Sequence, residues 1–173
     1  MQLQTFAKWI GTGALAIWLM TVPGTTLAAG SDTVLKAAEA QKMLPPAVYY
    51  KAQSASVQMR NSGGVKFADG YYMLATLVDT SGYSSDVASK YQAYLLTEVP
   101  LKFDGKTLPA GAWGIGFIGG NKFLVTDIGA HEVLTTSYAT DDAIKRPTPL
   151  QVLGDPAGGF RLYEGRKYVH FTR

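Results

Sequence analysis

The two histidines are the first residues to consider for acid–base or metal chemistry. His131 follows Asp127 by four positions, and His170 lies near the end of the chain. An Asp and a His four positions apart share one face only on a helix, and Gly129 makes a helix there unfavourable. A zinc site needs two or three imidazoles or a set of cysteines, and the chain contains no cysteine. We therefore expect a solvated polar turn around His131 and no metal site.

Serine nucleophiles are the second chemical possibility. Ser81, Ser84 and Ser85 lie in the irregular stretch 79–90, within conceivable reach of His131. A hydrolytic serine needs a general base and an oxyanion hole. The Gly-x-Ser-x-Gly elbow that exposes such a serine does not occur in the chain. A hydrolase that uses the 79–86 loop with His131 is thus the alternative hypothesis, and the leading one assigns no catalytic residue.

The chain has many carboxylates and glycines, but most of them lie where turns are expected. Ordinary turn chemistry accounts for the aspartates at 69, 79, 104, 141, 142 and 155. No Asp-x-Asp-x-Asp-Gly series predicts calcium. The glycines at 114, 116, 119 and 120 precede no helix that would make a phosphate loop. The sequence therefore predicts no cofactor.

A binding surface is the remaining candidate. Aromatic and charged side chains at turns are suited to a glycan, a peptide or an envelope protein. The residues selected for this predicted surface are Tyr83, Trp113, Asp127, His131, Arg161 and Arg166. The tyrosines at 49, 50, 71, 72, 83, 91 and 94 provide aromatic rings for such a surface. Core and sheet packing is the competing interpretation of these rings.

The first 28 residues have the pattern of a cleavable signal peptide. Lys8 precedes an apolar run of about 14 residues, which Pro23-Gly24 ends and which is shorter than the ~20 residues of a spanning helix. Thr26 and Ala28 satisfy the small-x-small rule of signal peptidases, so we expect cleavage after Ala28 or one residue later. The prediction is export to the periplasm or the medium, with no stable membrane span after cleavage. Without cysteine, a lipoprotein anchor is excluded.

Charge and composition narrow the class of partner. The net charge is +3, and Lys8 is the only charged side chain in residues 1–28, so cleavage lowers it by one. Such a small, scattered charge gives no case for binding nucleic acid. The remaining length suits one domain with its own core. Stability must come from packing and backbone hydrogen bonds, since disulfides are excluded.

Two regions follow the signal peptide. Residues 29–47 form a leader in which we expect a short helix from Ser31 or Asp32 to Met43, stopped by Pro45-Pro46. Residues 48–173 alternate short apolar runs with glycine turns, one of them predicted at 61–64. This pattern predicts an all-β, mainly antiparallel fold, either a single β-sandwich or a partly open barrel, and we favour the sandwich.

The segment around Trp113 is the best organised. Trp113, Ile115 and Phe117 alternate with small residues. The face that carries Gly114 and Gly116 leaves room for a neighbouring element to approach closely.

Two stretches carry a resemblance to known proteins. Residues 105–113 read G-K-T-L-P-A-G-A-W, and residues 161–169 read R-L-Y-E-G-R-K-Y-V. The first resembles a G-K-x-L-P-A-G-x-[YW] segment of uncharacterised exported bacterial β-sandwich proteins. The resemblance implies a fold and a compartment and supplies no catalytic residue. We expect a non-enzymatic binding or structural module of the cell envelope; a carrier of a small apolar ligand is a further alternative.

Overall fold

The computed structural model describes residues 30–173. The predicted signal peptide, 1–28, lies outside the described residues. The elements of the first half are β1 Thr33–Leu35, α1 Ala37–Ala40, β2 Ala47–Tyr50, β3 Gln53–Lys66, β4 Tyr72–Val78, α2 Ser85–Lys90 and β5 Ala93–Thr97. Those of the second half are β6 Leu101–Phe103, β7 Lys106–Leu108, β8 Gly111–Ile118, β9 Lys122–Thr126, β10 Glu132–Ser137, β11 Ala139–Thr140, β12 Leu150–Gly154, β13 Phe160–Glu164 and β14 Lys167–Phe171.

The strands form two main antiparallel sheets, which confirms the predicted fold class. The large sheet has the order β1-β3-β4-β5-β8-β9-β10, with β2 paired to β3. The small sheet has the order β11-β14-β13-β12. The β6–β7 hairpin joins the small sheet through a bridge between Lys102 and Thr172. The arrangement is sandwich-like and not a closed barrel. None of the helices between residues 30 and 173 is long and apolar enough to cross a membrane.

Phenylalanine rings fill the space between the two sheets, which we call the inter-sheet core. Its most deeply buried rings are Phe67, Phe103, Phe123 and Phe171, each at most 2% exposed. They are contributed by strands and turns of both sheets because inward positions alternate with outward ones along each strand. Burial of this apolar surface is the main stabilising contribution in a chain without disulfides.

The opposite face of the large sheet is covered by α1, α2 and β2. A Cβ at Gly114 would lie 2.7 Å from the ring of Tyr50, and one at Gly116 would overlap the carbonyl oxygen of Lys90. The predicted close approach to the glycine face of β8 is therefore confirmed. Only glycine lets β2 and the end of α2 lie this near the sheet.

The predicted helix from Ser31 or Asp32 to Met43 is wrong at both ends, since the helix observed, α1, covers only Ala37–Ala40. Residues 33–35 form β1, which pairs with the end of β3, and α1 begins only after Lys36. Strand pairing satisfies the backbone groups and buries Leu35 against Leu74. The backbone amide of Lys36 donates to the Glu39 carboxylate at 3.0 Å, which fixes the helix start.

The turn predicted at 61–64 is also wrong, because β3 runs through it for 14 residues. The register of β3 against β4 shifts between Val57 and Ser62. A Cβ at Gly64 would overlap the carbonyl oxygen of Met73, and one at Gly63 would lie 3.1 Å from the amide of Val152. These glycines permit close packing inside a strand.

The rest of 48–173 alternates short strands with turns, as the sequence pattern predicts. Strands occur at 72–78, at 93–97 and, with turns between them, over 150–171, and the helix α2 begins at Ser85, with the Ser84 hydroxyl accepting from the Val87 amide at 3.4 Å. The prediction did not include β10, whose residues lie directly after the His131 turn.

Candidate functional site

The six residues of the predicted surface lie in three separate places. Tyr83 and the Asp127–His131 turn belong to one end of the large sheet, where Tyr83 and Ala130 pack on the same cluster. Trp113 packs against the inter-sheet core. Arg161 lies on β13, and Arg166 lies in the turn that follows it. The structure therefore places Tyr83 and the Asp127–His131 turn in one region and separates them from Trp113, Arg161 and Arg166.

Asp127 and His131 make direct contact, through a turn and not a helix. The carboxylate of Asp127 accepts from the amides of Gly129 and His131 at 2.8 and 2.9 Å, and it lies 2.9 Å from Nδ1 of His131. These bonds, that from the His131 amide first, hold the pKa of Asp127 below its ordinary value. Because a carboxylate only accepts, Nδ1 carries the hydrogen. Nε2 is left as an acceptor on a side chain that is 83% exposed.

The serines of the 79–86 loop do not complete this pair. Ser84 caps α2, and the Ser81 amide donates to Asp79 at 3.1 Å. In the part of the chain that the structure describes, no serine hydroxyl forms a hydrogen bond with His131. A cavity of about 90 Å³ lies beside the turn and includes Lys51, Lys90 and Glu132 in its lining. The arrangement holds an oriented imidazole without a nucleophile bonded to it.

Tyr50, Tyr83 and Tyr91 form a compact group that we call the tyrosine cluster. The rings of Tyr50 and Tyr91 stack with centroids 3.7 Å apart, and Tyr83 meets both edge-on. The Tyr50 hydroxyl bonds Thr126 at 2.8 Å, and the Tyr83 hydroxyl donates to the carbonyl of Tyr50 at 3.1 Å. The buried hydroxyl of Tyr91 has no partner among residues 30–173, and burial raises its pKa. These rings serve packing.

Trp113 and Arg166 have local structural partners. The indole Nε1 of Trp113 donates to the carbonyl of Pro109 at 3.2 Å. Nε of Arg166 donates to the carbonyl of Ile144 at 2.9 Å. Trp113 thus fastens the preceding loop to β8, and Arg166 fastens the loop at Ile144 to the turn between β13 and β14.

Arg161 is the centre of a polar network on the outer face of the small sheet. Its Nε donates to the Asp155 carboxylate at 2.6 Å, and its guanidinium lies 4.6 Å from the centre of the Tyr168 ring. The Arg161 bond, more than the other contacts, holds the pKa of Asp155 below its ordinary value. The Tyr163 hydroxyl donates to Asp141 at 2.9 Å. The network holds the Tyr168 ring in place.

A groove of about 340 Å³ opens where the chain passes from β10 of the large sheet to β11 of the small sheet. We call it the crossing groove. Its lining residues are Asp104, Ser137, Tyr138, Ala139, Tyr168, Val169 and His170. Its volume lies within the range of about 300–1,000 Å³ that is usual for ligand pockets.

The crossing groove combines aromatic rings with hydrogen-bonding groups of different kinds. Nε2 of His170 donates to the carbonyl of Gly158 at 2.8 Å, so the neutral ring leaves Nδ1 as an acceptor. Asp104 accepts from the Thr136 hydroxyl at 3.3 Å and retains further acceptor capacity. The hydroxyls of Tyr138 and Tyr168 form no hydrogen bond with any residue of 30–173. The groove therefore offers acceptors and free hydroxyls beside ring surface.

Sequence reasoning did not select the crossing groove, although one signal pointed to it. Tyr168 and His170 alternate with Val169 and Phe171, which correctly predicts that the first two lie on the outer face of β14. The missing information was that Asp104 and Tyr138, far away in sequence, lie beside them. Within residues 30–173, no three His, Cys, Asp or Glu side chains are grouped closely enough to hold a metal ion.

The chain matches no protein-family model, no curated protein and no solved structure among those with which it was compared.

Proposed function

We propose that this protein is an exported, non-enzymatic module that binds a component of the cell envelope through the crossing groove. The observation that carries the proposal is the groove itself, where two tyrosines, a histidine and a carboxylate converge from three parts of the chain. Most of these groups lie on or beside strands, and rigid elements hold a binding site in one geometry.

Export is the first half of the proposal, and it rests on residues 1–28. The whole chain would be expressed in a bacterial host, and the protein in the periplasm and medium would be weighed by mass spectrometry. We expect a product that lacks residues 1–28 or 1–29 and leaves the membrane fraction. Recovery of the uncleaved chain in washed membranes would overturn export and favour a retained anchor.

Binding through the groove is the second half. Ala139→Trp places a large ring into the groove, and Ala157→Trp places the same ring on an exposed turn of the small sheet outside it. Purified proteins would be cosedimented with isolated envelope fractions. We expect wild type and A157W to cosediment and A139W to lose binding. Equal binding by A139W and A157W would remove the groove from the proposal.

A hydrolase is the second candidate, since Asp127 orients the imidazole of His131 as a general base would be oriented. His131→Ala would be compared with His170→Ala in assays of ester, peptide and glycoside cleavage. A turnover that His131→Ala alone abolishes would establish this function in place of the binding module. A carrier of an apolar ligand has less support, because phenylalanine rings fill the inter-sheet core.

A further inference from the structure

The chemistry of the crossing groove narrows the kind of molecule that fits it. We infer that its ligand is a neutral saccharide, held by hydrogen bonds to Asp104, Tyr138, Tyr168 and His170 and by contact with the two tyrosine rings. This inference rests on the proposed function and deepens it, because it names the class of ligand for the same groove.

The hydrogen-bonding groups of the groove suit a molecule with many hydroxyls. A carboxylate accepts only, a tyrosine hydroxyl both donates and accepts, and Nδ1 of neutral His170 accepts. Each sugar hydroxyl is both a donor and an acceptor. A saccharide can therefore give hydrogens to Asp104 and His170 while it accepts them from Tyr138 and Tyr168.

Cationic side chains of the protein already lie close to the two tyrosine rings of the groove. Arg161 lies 4.6 Å from the centre of the Tyr168 ring, and Nζ of Lys167 lies 5.6 Å from that of Tyr138. A cationic ligand would meet two like charges at the rings that would otherwise attract it. The cations also hold the rings in position, which lowers the entropy lost when a ligand binds.

Asp104 disfavours anionic ligands. Its carboxylate lines the groove, so an anionic ligand would bring two negative charges close together. The groove therefore has charges of both signs close together, and Arg161 and Lys167 are already paired with Asp155 and Glu164. Neither an anion nor a cation meets a uniformly complementary field there, which favours a neutral polar molecule. Aliphatic ligands are disfavoured too, since they would bury the groove's polar groups without partners.

The charge preference is tested with three glucose derivatives that have the same pyranose ring and differ in charge. N-acetylglucosamine is neutral, glucosamine is cationic in mildly acidic buffer, and glucuronic acid is anionic; glucose and galactose widen the neutral set. Binding would be followed by the amide NMR signals of residues 137–139 and 168–170. We expect at least one neutral sugar to shift these signals and to bind about tenfold tighter than either charged one. No shift by any neutral sugar, or tighter binding of a charged sugar, would overturn the inference.

Two variants test the named side chains. Asp104 has a positive φ of 48°, which asparagine tolerates well, so Asp104→Asn removes the charge without straining the turn. We expect this change to improve glucuronic acid binding about fivefold. Tyr168→Phe keeps the ring under Arg161 and should weaken the neutral sugar about fivefold. Tyr49→Phe, outside the groove, is the matched control, and an equal effect of the two tyrosine variants would contradict the inference.

Failure of this inference is distinguishable from failure of the proposed function. If A139W loses envelope binding and no neutral sugar competes with the envelope fraction, the groove remains the binding site and the ligand class is wrong. If A139W binds the envelope like A157W, the function itself is wrong.

Discussion

The crossing groove and the His131 turn hold their histidines in different ways. Beneath the crossing groove, Asp104 and His170 directly follow the core residues Phe103 and Val169 along the chain. At one end of the large sheet, His131 lies in an exposed turn that both the Asp127 carboxylate and backbone hydrogen bonds hold. The groove is anchored on core strands, whereas the orientation of the His131 ring depends on its bond to the Asp127 carboxylate.

The largest expected effect comes from removing the support beneath the groove. Phe171 is fully buried, and its ring centroid lies 5.7 Å from that of Phe103 and 5.5 Å from that of Phe160. We expect Phe171→Ala to lower the free energy of unfolding by about 3–5 kcal/mol, measured by urea denaturation. Phe171→Leu, which retains most of the volume, should lose about 1 kcal/mol. Equal losses in the two variants would show that the groove side is loosely packed.

A second change tests the packing of the opposite face. A Cβ at Gly116 would overlap the carbonyl oxygen of Lys90, and backbone yields less readily than a side-chain end. We expect Gly116→Ala to lower the free energy of unfolding by about 1–3 kcal/mol. Gly119→Ala, on the same hairpin with nothing within 4 Å of the added Cβ, is the control. If both variants are as stable as wild type, the close approach of α2 does not constrain β8.

Acid should weaken the network on the groove side. Because the folded state lowers the pKa of Asp155 below 3.8, its contribution is complete above that pH and is lost as pH falls through the folded pKa. We expect wild type to exceed Asp155→Asn in unfolding free energy at pH 7, and the difference to shrink steadily below pH 3.8. Denaturant titrations across this range measure it. A difference that is constant with pH would mean that the charge of Asp155 contributes nothing.

The smallest effect on stability is expected in the tyrosine cluster. The hydroxyl of Tyr91 is buried without a partner among the described residues, so Tyr91→Phe removes an unsatisfied group and leaves no cavity of consequence. The free energy of unfolding should stay unchanged or rise by up to about 1 kcal/mol. Tyr50→Phe, which loses a 2.8 Å bond to Thr126, should be destabilising. A destabilised Tyr91→Phe would indicate a buried water at this hydroxyl.

The last prediction concerns the tautomers of the two histidines and involves no change in stability. In alkaline buffer we expect His131 to carry its proton on Nδ1 and His170 on Nε2, because each nitrogen faces an oxygen acceptor. Nitrogen NMR of the rings distinguishes the two forms. Asp127→Ala should change the tautomer of His131 alone. The same tautomer at both sites in wild type would mean that the Asp127–His131 bond does not form in solution.

Local pattern predicted much of the fold and little of the site. Alternation along 93–97 and 167–171 identified the buried side of each strand, since successive side chains point to opposite faces. Glycine was ambiguous: Gly63 and Gly64 look like a turn, yet they lie inside β3 because other backbones pass within van der Waals distance. Their role depends on β4 and β12, which no local window contains.

By itself, the sequence determined the all-β class and the glycine face of β8, because periodicity and backbone freedom are properties of short segments. Tertiary structure alone decided that Asp104 and Tyr138 lie beside Tyr168 and His170. Those contacts follow from how two sheets stack, and stacking is set by the total apolar surface buried and not by any single motif. The contact between Asp127 and His131 is intermediate, since a local turn makes it where helical spacing does not.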